Sequence, residues 1–382
     1  MKKQIFLILA LCVFLCGCRQ TGVEVNHISK IETQNIDGYS VDLMQLDKDY
    51  VYSISCIWKD NIIYSDSSQS VQTYYRYDIT EDTTYKIGSI EYPFVSSGDI
   101  VAIDDKIYFY YGTIAADMEK MERTTENALY QIDLTENTLQ KIASVDVDQT
   151  LIYLSAANGE IVSYKGISDG DKGITYLDML DVSDQSNIKF DTLLQKEYDM
   201  KEMCGETLSC FSIHDSNIYI IVRSNNTAGD VSWNMEKYDL DGNYMESLPI
   251  NHKIIEWINE EPISKFEVFG EYGFLSNFSG GGVVFRISSD EIAPEFLREL
   301  ELDIDVPADN ASGDYAVLFS RATGEIWRLD IAEGSLYKLA LPYQSLNCIY
   351  MGNDNKVLIS SDTDVYGDLS QFPTEGGNLL EH

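Results

Sequence analysis

Histidine is scarce in this chain, which has 4 among its 382 residues. His27 lies near the N-terminus and His382 is the last residue, which leaves His214 and His252. A Ser-His-Asp triad needs a histidine as its base, and common zinc sites need several histidines or cysteines. The sequence therefore argues against both kinds of site. It predicts that His214, in the turn "HDSN", is a hydrogen-bonded turn residue.

Positive charge is scarce as well. The chain has 63 Asp and Glu residues against 27 Lys and Arg residues, a formal net charge of -36. Nucleic-acid binding requires basic surfaces, so nucleic acid is excluded as a partner. Repulsion from anionic lipid headgroups also keeps the acidic body off a bilayer surface. With 44% hydrophobic and 12% aromatic residues, the chain has enough apolar material for a large core.

No apolar run in the sequence is long enough to span a bilayer. The run Ile5–Leu15 follows Lys2 and Lys3, and this pattern is typical of a secretory signal peptide. We therefore leave this leader out of the fold.

The leader ends in Leu15-Cys16-Gly17-Cys18, which resembles the lipobox of bacterial lipoproteins. In that family the cysteine after a small residue receives diacylglycerol and becomes the mature N-terminus, so the resemblance implies this role for Cys18. The alternative is an ordinary signal peptide with incidental cysteines. We expect a signal peptide over residues 1–17 and a lipidated tether over residues 18–36. The protein would then be anchored to a bacterial membrane in the cell envelope, facing outside the cytoplasm.

One phrase recurs along the chain. Its first copies are "YRYDITEDTTYKI" at 75–87 and "YQIDLTENTLQKI" at 130–142, and weaker copies begin at 178, 236, 285 and 327. Its fourth position is occupied by Asp78, Asp133, Asp181, Asp239, Ser288 and Asp330, with spacings of 42 to 58 residues. That period is typical of four-stranded propeller blades. Each phrase predicts a strand, a turn in which the aspartate accepts backbone N–H groups, and a second strand.

A further predicted strand pair precedes each phrase, so one repeat contains four strands. Residues 346–362 supply two strands of a seventh unit, with a short third strand near Val365. We predict that the unassigned strand at 38–46 completes this last blade and closes the ring. The predicted fold class is all-β, a single β-propeller domain over residues 37–382. Seven blades are favoured, and six or eight are the alternatives.

These repeats resemble bacterial lipoprotein β-propellers of the YWTD-like or TolB-like kind over about residues 38–370. The resemblance rests on the "Y-x-x-D" core of the phrase and on the leader. The chain lacks the Gly-His and Trp-Asp pairs of WD40 blades and the double glycine of kelch blades. The resemblance implies an architecture, from which function does not transfer.

The long connections all fall on one predicted side of the ring. They span residues 112–127, 166–173, 195–206, 225–234 and 250–262. Insertions on one face of a repeat array usually mark its contact surface, and drift in unconstrained loops is the alternative. Trp233 and Trp257 lie in these connections beside acidic residues. An exposed indole there suits a sugar ring or a cationic peptide. The favoured alternative is that both indoles pack the loops against the blades.

No cofactor is predicted, and calcium is the one candidate ion. The run "DLDGN" offers Asp239, Asp241 and Asn243, and "SDGDKG" offers Asp169 and Asp171. Neither run has the spacing or the closing glutamate of an EF-hand, and the first coincides with the ordinary turn of the repeat.

The function expected from the sequence is a non-catalytic binding or scaffold module for a protein, peptide or glycan on the loop face. The alternative is a carbohydrate-active enzyme that uses paired carboxylates at the mouth of the propeller channel. The sequence singles out no such pair.

Overall fold

Alternating apolar residues between turns rich in Asp, Asn and Gly make most of the described part of this chain β-strand. The computed structural model describes residues 27–379 apart from 37, 48–52, 69–70, 92–99, 118–121, 146–151, 158, 184–187, 261, 278–280, 288–291, 302, 306–313, 321–322, 341–345 and 362. Within these residues there are one α-helix, α1 (His252–Glu260), and one short 3-10 turn, Leu369–Gln371. The predicted all-β class is confirmed.

The strands follow one another in antiparallel meanders. The first fourteen are β1 (Ile28–Ile36), β2 (Tyr39–Leu46), β3 (Ser53–Trp58), β4 (Asn61–Ser68), β5 (Val71–Asp78), β6 (Thr83–Glu91), β7 (Ile100–Ile103), β8 (Lys106–Asp117), β9 (Glu122–Asp133), β10 (Thr138–Val145), β11 (Ile152–Ala157), β12 (Glu160–Asp169), β13 (Lys172–Asp181) and β14 (Lys189–Asp199). The others are β15 (Cys204–His214), β16 (Asn217–Asn225), β17 (Val231–Asp239), β18 (Tyr244–Pro249), β19 (Ile263–Phe269), β20 (Tyr272–Asn277), β21 (Gly281–Ile287), β22 (Ile292–Glu301), β23 (Asp303–Asp305), β24 (Tyr315–Phe319), β25 (Ile326–Asp330), β26 (Ser335–Leu339), β27 (Leu346–Met351), β28 (Lys356–Ser361), β29 (Asp364–Asp368) and β30 (Thr374–Glu375).

In the described part of the chain these strands form six hydrogen-bonded sheets. Strands β3–β6, β7–β10 and β19–β22 make three four-stranded sheets, and β11–β18 make one eight-stranded sheet. Strands β23–β26 are joined by β30, and β27–β29 are joined by β2 and β1. The number of separate sheets therefore differs from the seven that the repeats predicted.

The sheets are arranged as a β-propeller. First strands of successive meanders contact each other along most of the chain: β3 contacts β7, β7 contacts β11, β11 contacts β15, and β15 contacts β19. On the far side β23 contacts β27, and β27 contacts β3. Because the last meander touches the first, the sheets surround an axis, as the repeat period predicted.

The repeated aspartates serve the turns in the predicted way. Asp78 Oδ1 accepts the backbone N–H groups of Thr80 and Glu81, both at 3.0 Å. Asp133 Oδ1 does the same for Thr135 and Glu136 at 2.9 Å. Equivalent bonds run from Ser183 to Asp181, from Asn243 to Asp239 and from Glu333 to Asp330. The recurring aspartate is therefore a turn-forming residue in each described copy.

The N-terminal strand closes the ring, which confirms the prediction for residues 38–46. Strand β2 pairs with β29 through Asp42 and Tyr366, Leu43 and Val365, and Met44 and Asp364. Val41 is 3% exposed and packs with apolar residues of β27 and β28. Because β2 and β29 are far apart in sequence, this pairing ties the two ends of the chain together.

The predicted tether ends too late in the sequence. Residues 28–36 form β1, which pairs with β2 along its whole length. His27 is 5% exposed, and its Nδ1 lies 3.1 Å from the hydroxyl of Tyr64. The alternating residues from Ile28 onwards therefore add a fifth strand to the closing sheet. Any tether must end before residue 27.

The eight-stranded sheet arises where two meanders meet. Strands β14 and β15 are joined by the pairs Tyr198–Gly205 and Asp199–Cys204. Gly205 has a φ of +125°, and a Cβ there would overlap the carbonyl oxygen of Glu197. Only glycine meets both demands, so this close approach depends on residue 205. The predicted loop 195–206 is thus a hairpin that joins two four-stranded units.

Candidate functional site

The long connections of the sequence are mostly extended hairpins. Residues 112–117 and 122–127 prolong β8 and β9, and residues 166–173 form the end of the β12–β13 hairpin. Residues 195–206 form the end of the β14–β15 hairpin, and residues 225–234 lead from β16 into β17. These hairpins lie between the second and third strands of a unit or between units, so they share one side of the propeller.

Three of these hairpins are hydrogen-bonded side by side. Asp169 pairs with Lys172, Lys172 with Asp199, and Asp199 with Cys204. The ladder continues through the pairs Gly205–Asn225 and Asn225–Val231. Strands β12 to β17 therefore share one continuous edge. We call residues 168–172, 197–206 and 224–232 the acidic rim. Its six strands, at about 4.8 Å spacing, make it ~24 Å wide.

The turns of the acidic rim are held by hydrogen bonds of their own. The backbone N–H of Met200 donates to the carbonyl oxygen of Asp171 at 2.7 Å, which joins two hairpin ends. Asp199 Oδ1 accepts the N–H groups of residues 201 and 202 at 2.9 and 2.8 Å. Asn226 Oδ1 accepts those of Ala228 and Asp230, both at 2.9 Å. The rim is therefore fixed in shape before any partner binds.

The surface of the acidic rim combines negative charge with apolar side chains. Met200, Met203 and Val231 are exposed by 40%, 61% and 42%. Seven acidic residues and two lysines give the rim a formal charge of -5; they are Asp169, Asp171, Glu197, Asp199, Glu202, Glu206, Asp230, Lys172 and Lys201. A surface of this kind attracts cationic groups and also offers apolar contact.

Beneath the rim, one lysine holds the two joined units together. Lys196 Nζ lies 2.9 Å from Glu206 Oε2 and 2.9 Å from Glu236 Oε2. The Tyr238 hydroxyl donates to Glu236 Oε2 at 2.6 Å. Burial acts to lower the pKa of the Lys196 ammonium, but its hydrogen bonds to the two glutamates outweigh burial and raise the pKa above its ordinary value. The lysine therefore stays charged and bridges β14 to β15 and β17.

Sequence reasoning missed this network. Its signal was the spacing of 58 residues between Asp181 and Asp239, the longest in the chain. That interval contains β14 and β15, which have 11 residues each and are joined through their hairpin. Nothing in the local pattern around Lys196 indicates which carboxylates it meets.

The two tryptophans predicted as weak ligand candidates are buried. Trp233 and Trp257 are 8% and 9% exposed and belong to one apolar cluster with Met235 and Phe266. Trp257 lies on α1, which replaces the predicted loop at 250–262 and begins where Asn251 accepts the N–H of Lys253. The exposed-indole interpretation is therefore wrong, and the packing alternative describes both residues.

The calcium candidate is a closed turn. Asp239 Oδ1 accepts the backbone N–H of Asn243 at 2.8 Å, and Oδ2 accepts its side-chain amide at 2.9 Å. This side-chain hydrogen bond, with the backbone bond, lowers the pKa of Asp239. Both oxygens of the Asp239 carboxylate, which would bind the ion, are thus hydrogen-bonded to Asn243. Asp241 alone would supply only one further carboxylate. Within the described ranges, no three His, Cys, Asp or Glu side chains are grouped as metal ligands would be.

In the described part of the chain, Glu325 and Glu375 share the Lys338 ammonium at an exposed site, and Glu206 and Glu236 share the less exposed Lys196 ammonium. Glycoside cleavage requires a sugar bond between two carboxylates. Here the ammonium occupies the space between them. Asp178, another carboxylate bound by a lysine, is fully buried and accepts a hydrogen bond from Thr192 at 2.8 Å. In both arrangements a lysine neutralises the carboxylate charge and links neighbouring strands.

Cys18, the predicted lipid attachment residue, lies outside the described residues, as does the leader before it. In the described part of the chain, no helix has the length and apolar character needed to cross a bilayer.

The fold is similar to that of solved propeller structures. An oligogalacturonate lyase solved in complex with manganese gives a TM-score of 0.52 at 11% identity, over 90% of this chain and 96% of the lyase. An oligogalacturonate lyase from Vibrio parahaemolyticus gives 0.45 at 14% identity, over 90% and 97%. An uncharacterized protein from Listeria monocytogenes gives 0.42 at 12% identity, over 86% and 92%. No family model and no curated protein matches the chain. At 11% identity, the similarity to the manganese-bound oligogalacturonate lyase concerns the fold alone, and it is consistent with the β-propeller described above.

Proposed function

We propose that this protein is a lipid-anchored, extracytoplasmic β-propeller that binds a protein, peptide or glycan on its loop side without chemical turnover. The observation that carries the proposal is the acidic rim, a continuous edge of six strands whose turns are held by hydrogen bonds. A rigid, protruding surface supports binding because little order is lost when a partner docks.

Hydrogen exchange of the full-length protein tests this role. A solubilised envelope extract is expected to slow amide exchange in residues 197–206 and 224–232. Residues on the opposite side, such as the turn at 239–243, serve as the internal control. Exchange that is unchanged throughout the loop side contradicts a binding role there.

The anchoring part of the proposal rests on Cys18. Two or three acyl chains hold a protein on a membrane without a transmembrane helix, at about 0.8 kcal/mol per buried CH₂. Cys18→Ser is expected to move the protein from the detergent phase to the aqueous phase of a Triton X-114 partition. Cys16→Ser is the matched control and leaves the partition unchanged. A Cys18→Ser protein that remains in the detergent phase contradicts lipidation at this residue.

We also propose to count the ring as seven blades, with the eight-stranded sheet as two. Strands β14 and β15 share only two residue pairs, whereas β12 and β13 share nine. In the described residues there are seven buried apolar clusters, and each draws on neighbouring four-stranded units. Seven is also the number of repeats read from the sequence.

The alternative function, carbohydrate cleavage by paired carboxylates, is tested at Glu206 and Glu236, the carboxylate pair that borders the acidic rim. The fold likeness to oligogalacturonate lyase concerns architecture alone. Incubation with polygalacturonate and with a panel of neutral glycans is expected to release no new sugar ends. Release that is lost in a Glu236→Gln variant would favour the enzyme over the binding module.

A further inference from the structure

Exposed apolar side chains are concentrated on the acidic rim. Six large apolar side chains are exposed in the described part of the chain, and three of them, Met200, Met203 and Val231, lie on the rim. The strand pairs Gly205–Asn225 and Asn225–Val231 place Val231 two strands from the β14–β15 turn, or about 10 Å away. The three side chains therefore form one surface on neighbouring turns.

The charge around these side chains is largely uncompensated. Lys172 is bound to Glu197 at 2.9 Å, so its charge is already paired. Glu202 lies on the same turn as the exposed methionines, and Asp169 and Asp171 lie on the neighbouring β12–β13 turn, which Met200 joins through its hydrogen bond to Asp171. Anionic lipid and nucleic acid are repelled by such a surface, whereas lysine and arginine side chains are attracted.

The apolar part of the rim favours a peptide over a sugar. Its exposed apolar side chains are aliphatic, and both tryptophans of the loop side are buried. Methionine is flexible and polarizable, so it adapts to differently shaped apolar side chains. A rim ~24 Å wide is spanned by about seven residues of extended chain.

Resting on the proposed binding role, we propose that the acidic rim docks an extended segment of a partner protein, about seven residues long, that carries both basic and apolar side chains. The basic side chains bind the rim carboxylates. The apolar side chains cover Met200, Met203 and Val231.

Fluorescence anisotropy with a labelled eight-residue peptide of alternating lysine and leucine tests this proposal on the full-length protein. Two comparison peptides replace either lysine by glutamate or leucine by serine. The lysine–leucine peptide is expected to bind at least tenfold more tightly than either comparison, and its affinity falls as salt rises from 50 to 300 mM. Equal binding of the glutamate–leucine peptide overturns the proposal.

Two sets of variants locate the binding surface. The triple variant Met200→Ser, Met203→Ser and Val231→Ser is expected to lower the affinity at least tenfold. Because these side chains are exposed, folding is little affected. The variant Asp171→Asn with Glu202→Gln is expected to lower the affinity three- to tenfold at 50 mM salt and less at 300 mM.

The matched control uses exposed apolar side chains elsewhere. Tyr244 and Met245 on β18 are 57% and 52% exposed. Tyr244→Ser with Met245→Ser is expected to leave the affinity unchanged, and a loss equal to that of the triple variant overturns the proposal. Binding to neutral phosphatidylcholine vesicles is measured for the same variants. If the triple variant loses vesicle binding but keeps peptide binding, the rim contacts a lipid surface and the proposal is overturned.

This test separates the two proposals. Slowed hydrogen exchange on the loop side, together with no peptide binding at the rim, leaves the binding role standing and removes the peptide. Unchanged exchange throughout the loop side removes the binding role itself.

Discussion

Replacing Lys196 by methionine tests how the joined units are held. Methionine is of similar length and apolar, so the main loss is the ammonium. Glu206 and Glu236 would then face each other without the cation that lies 2.9 Å from both. The side chains of Lys196 and Glu236 are only 14% and 13% exposed, so water replaces the lost contacts poorly.

The size of the effect follows from this burial. Removing one partner of a buried ion pair costs about 3–5 kcal/mol. Glu206 is 47% exposed, so solvent screening weakens its ion pair with Lys196. We therefore expect Lys196→Met to lower the free energy of unfolding by about 2–3 kcal/mol. The effect is measured by urea denaturation at pH 7.

Lys172→Met is the matched control on the same side of the ring. Lys172 also lies 2.9 Å from a carboxylate, that of Glu197, but these side chains are 55% and 47% exposed. An exposed pair contributes roughly 0–1 kcal/mol, so this variant is expected to change little. Adding Glu236→Gln to Lys196→Met should recover part of the loss, because it removes one uncompensated charge. Equal effects of the two lysine variants would refute the assignment of Lys196 as the bridge between the units.

The pH dependence of this contribution has a definite sign. The pKa of Lys196 is raised in the folded protein, with burial opposed by the hydrogen bonds to its glutamates. Its stabilisation is therefore fully present below the unfolded lysine value of about 10.4 and is lost as pH rises through the folded value. The difference between wild type and Lys196→Met should stay constant from pH 7 to pH 9. A difference that shrinks within this range contradicts the pairing.

Three further predictions follow from individual residues. Burial lowers the pKa of His214, although the charge of Asp215 acts to raise it. As pH falls, the unfolded chain therefore binds a proton at this residue before the folded protein does, so the free energy of unfolding should fall below pH ~6.5. Urea denaturation at pH 7.5 and 5.5 measures this fall, which should be smaller in His214→Gln. Gly273→Ala places a Cβ in the ring of Phe285 and should cost about 1–3 kcal/mol, whereas Gly166→Ala meets open space and should cost little. Val41→Asp buries an unpaired charge on the closing strand and should make β2 the first site of proteolysis; an unchanged cleavage pattern would contradict closure by β2.

Local patterns were sufficient for the repeating part of the fold. The aspartate at the fourth position of each phrase predicted the turn, and Asp78 and Asp133 make the expected backbone hydrogen bonds. Alternation of apolar residues likewise predicted the strand β2, and the incomplete seventh unit at 346–362 predicted its place in the last blade. These features depend on residues close together in sequence or on a regular period, so they are visible without coordinates.

The candidate site could be predicted only in outline. Loop lengths indicated that the long connections share one side of the ring, but the sequence presented residues 195–206 and 225–234 as separate loops. It also presented the region of Trp257 as a loop, although α1 buries the indole. Short apolar segments do not reveal whether they face solvent or a neighbouring sheet, because burial depends on partners that are distant in sequence.

The strand repeat, the turn chemistry, the acidic charge and the closing strand can all be inferred from the order of the residues. The contact between Asp171 and Met200 across two hairpins, and those of Lys196 with Glu206 and Glu236, become visible only in the folded protein. The physical reason is that hydrogen bonds and ion pairs between units depend on how far each hairpin extends beyond its blade. Which side chains meet there depends on the register between neighbouring strands, and no local pattern encodes that register.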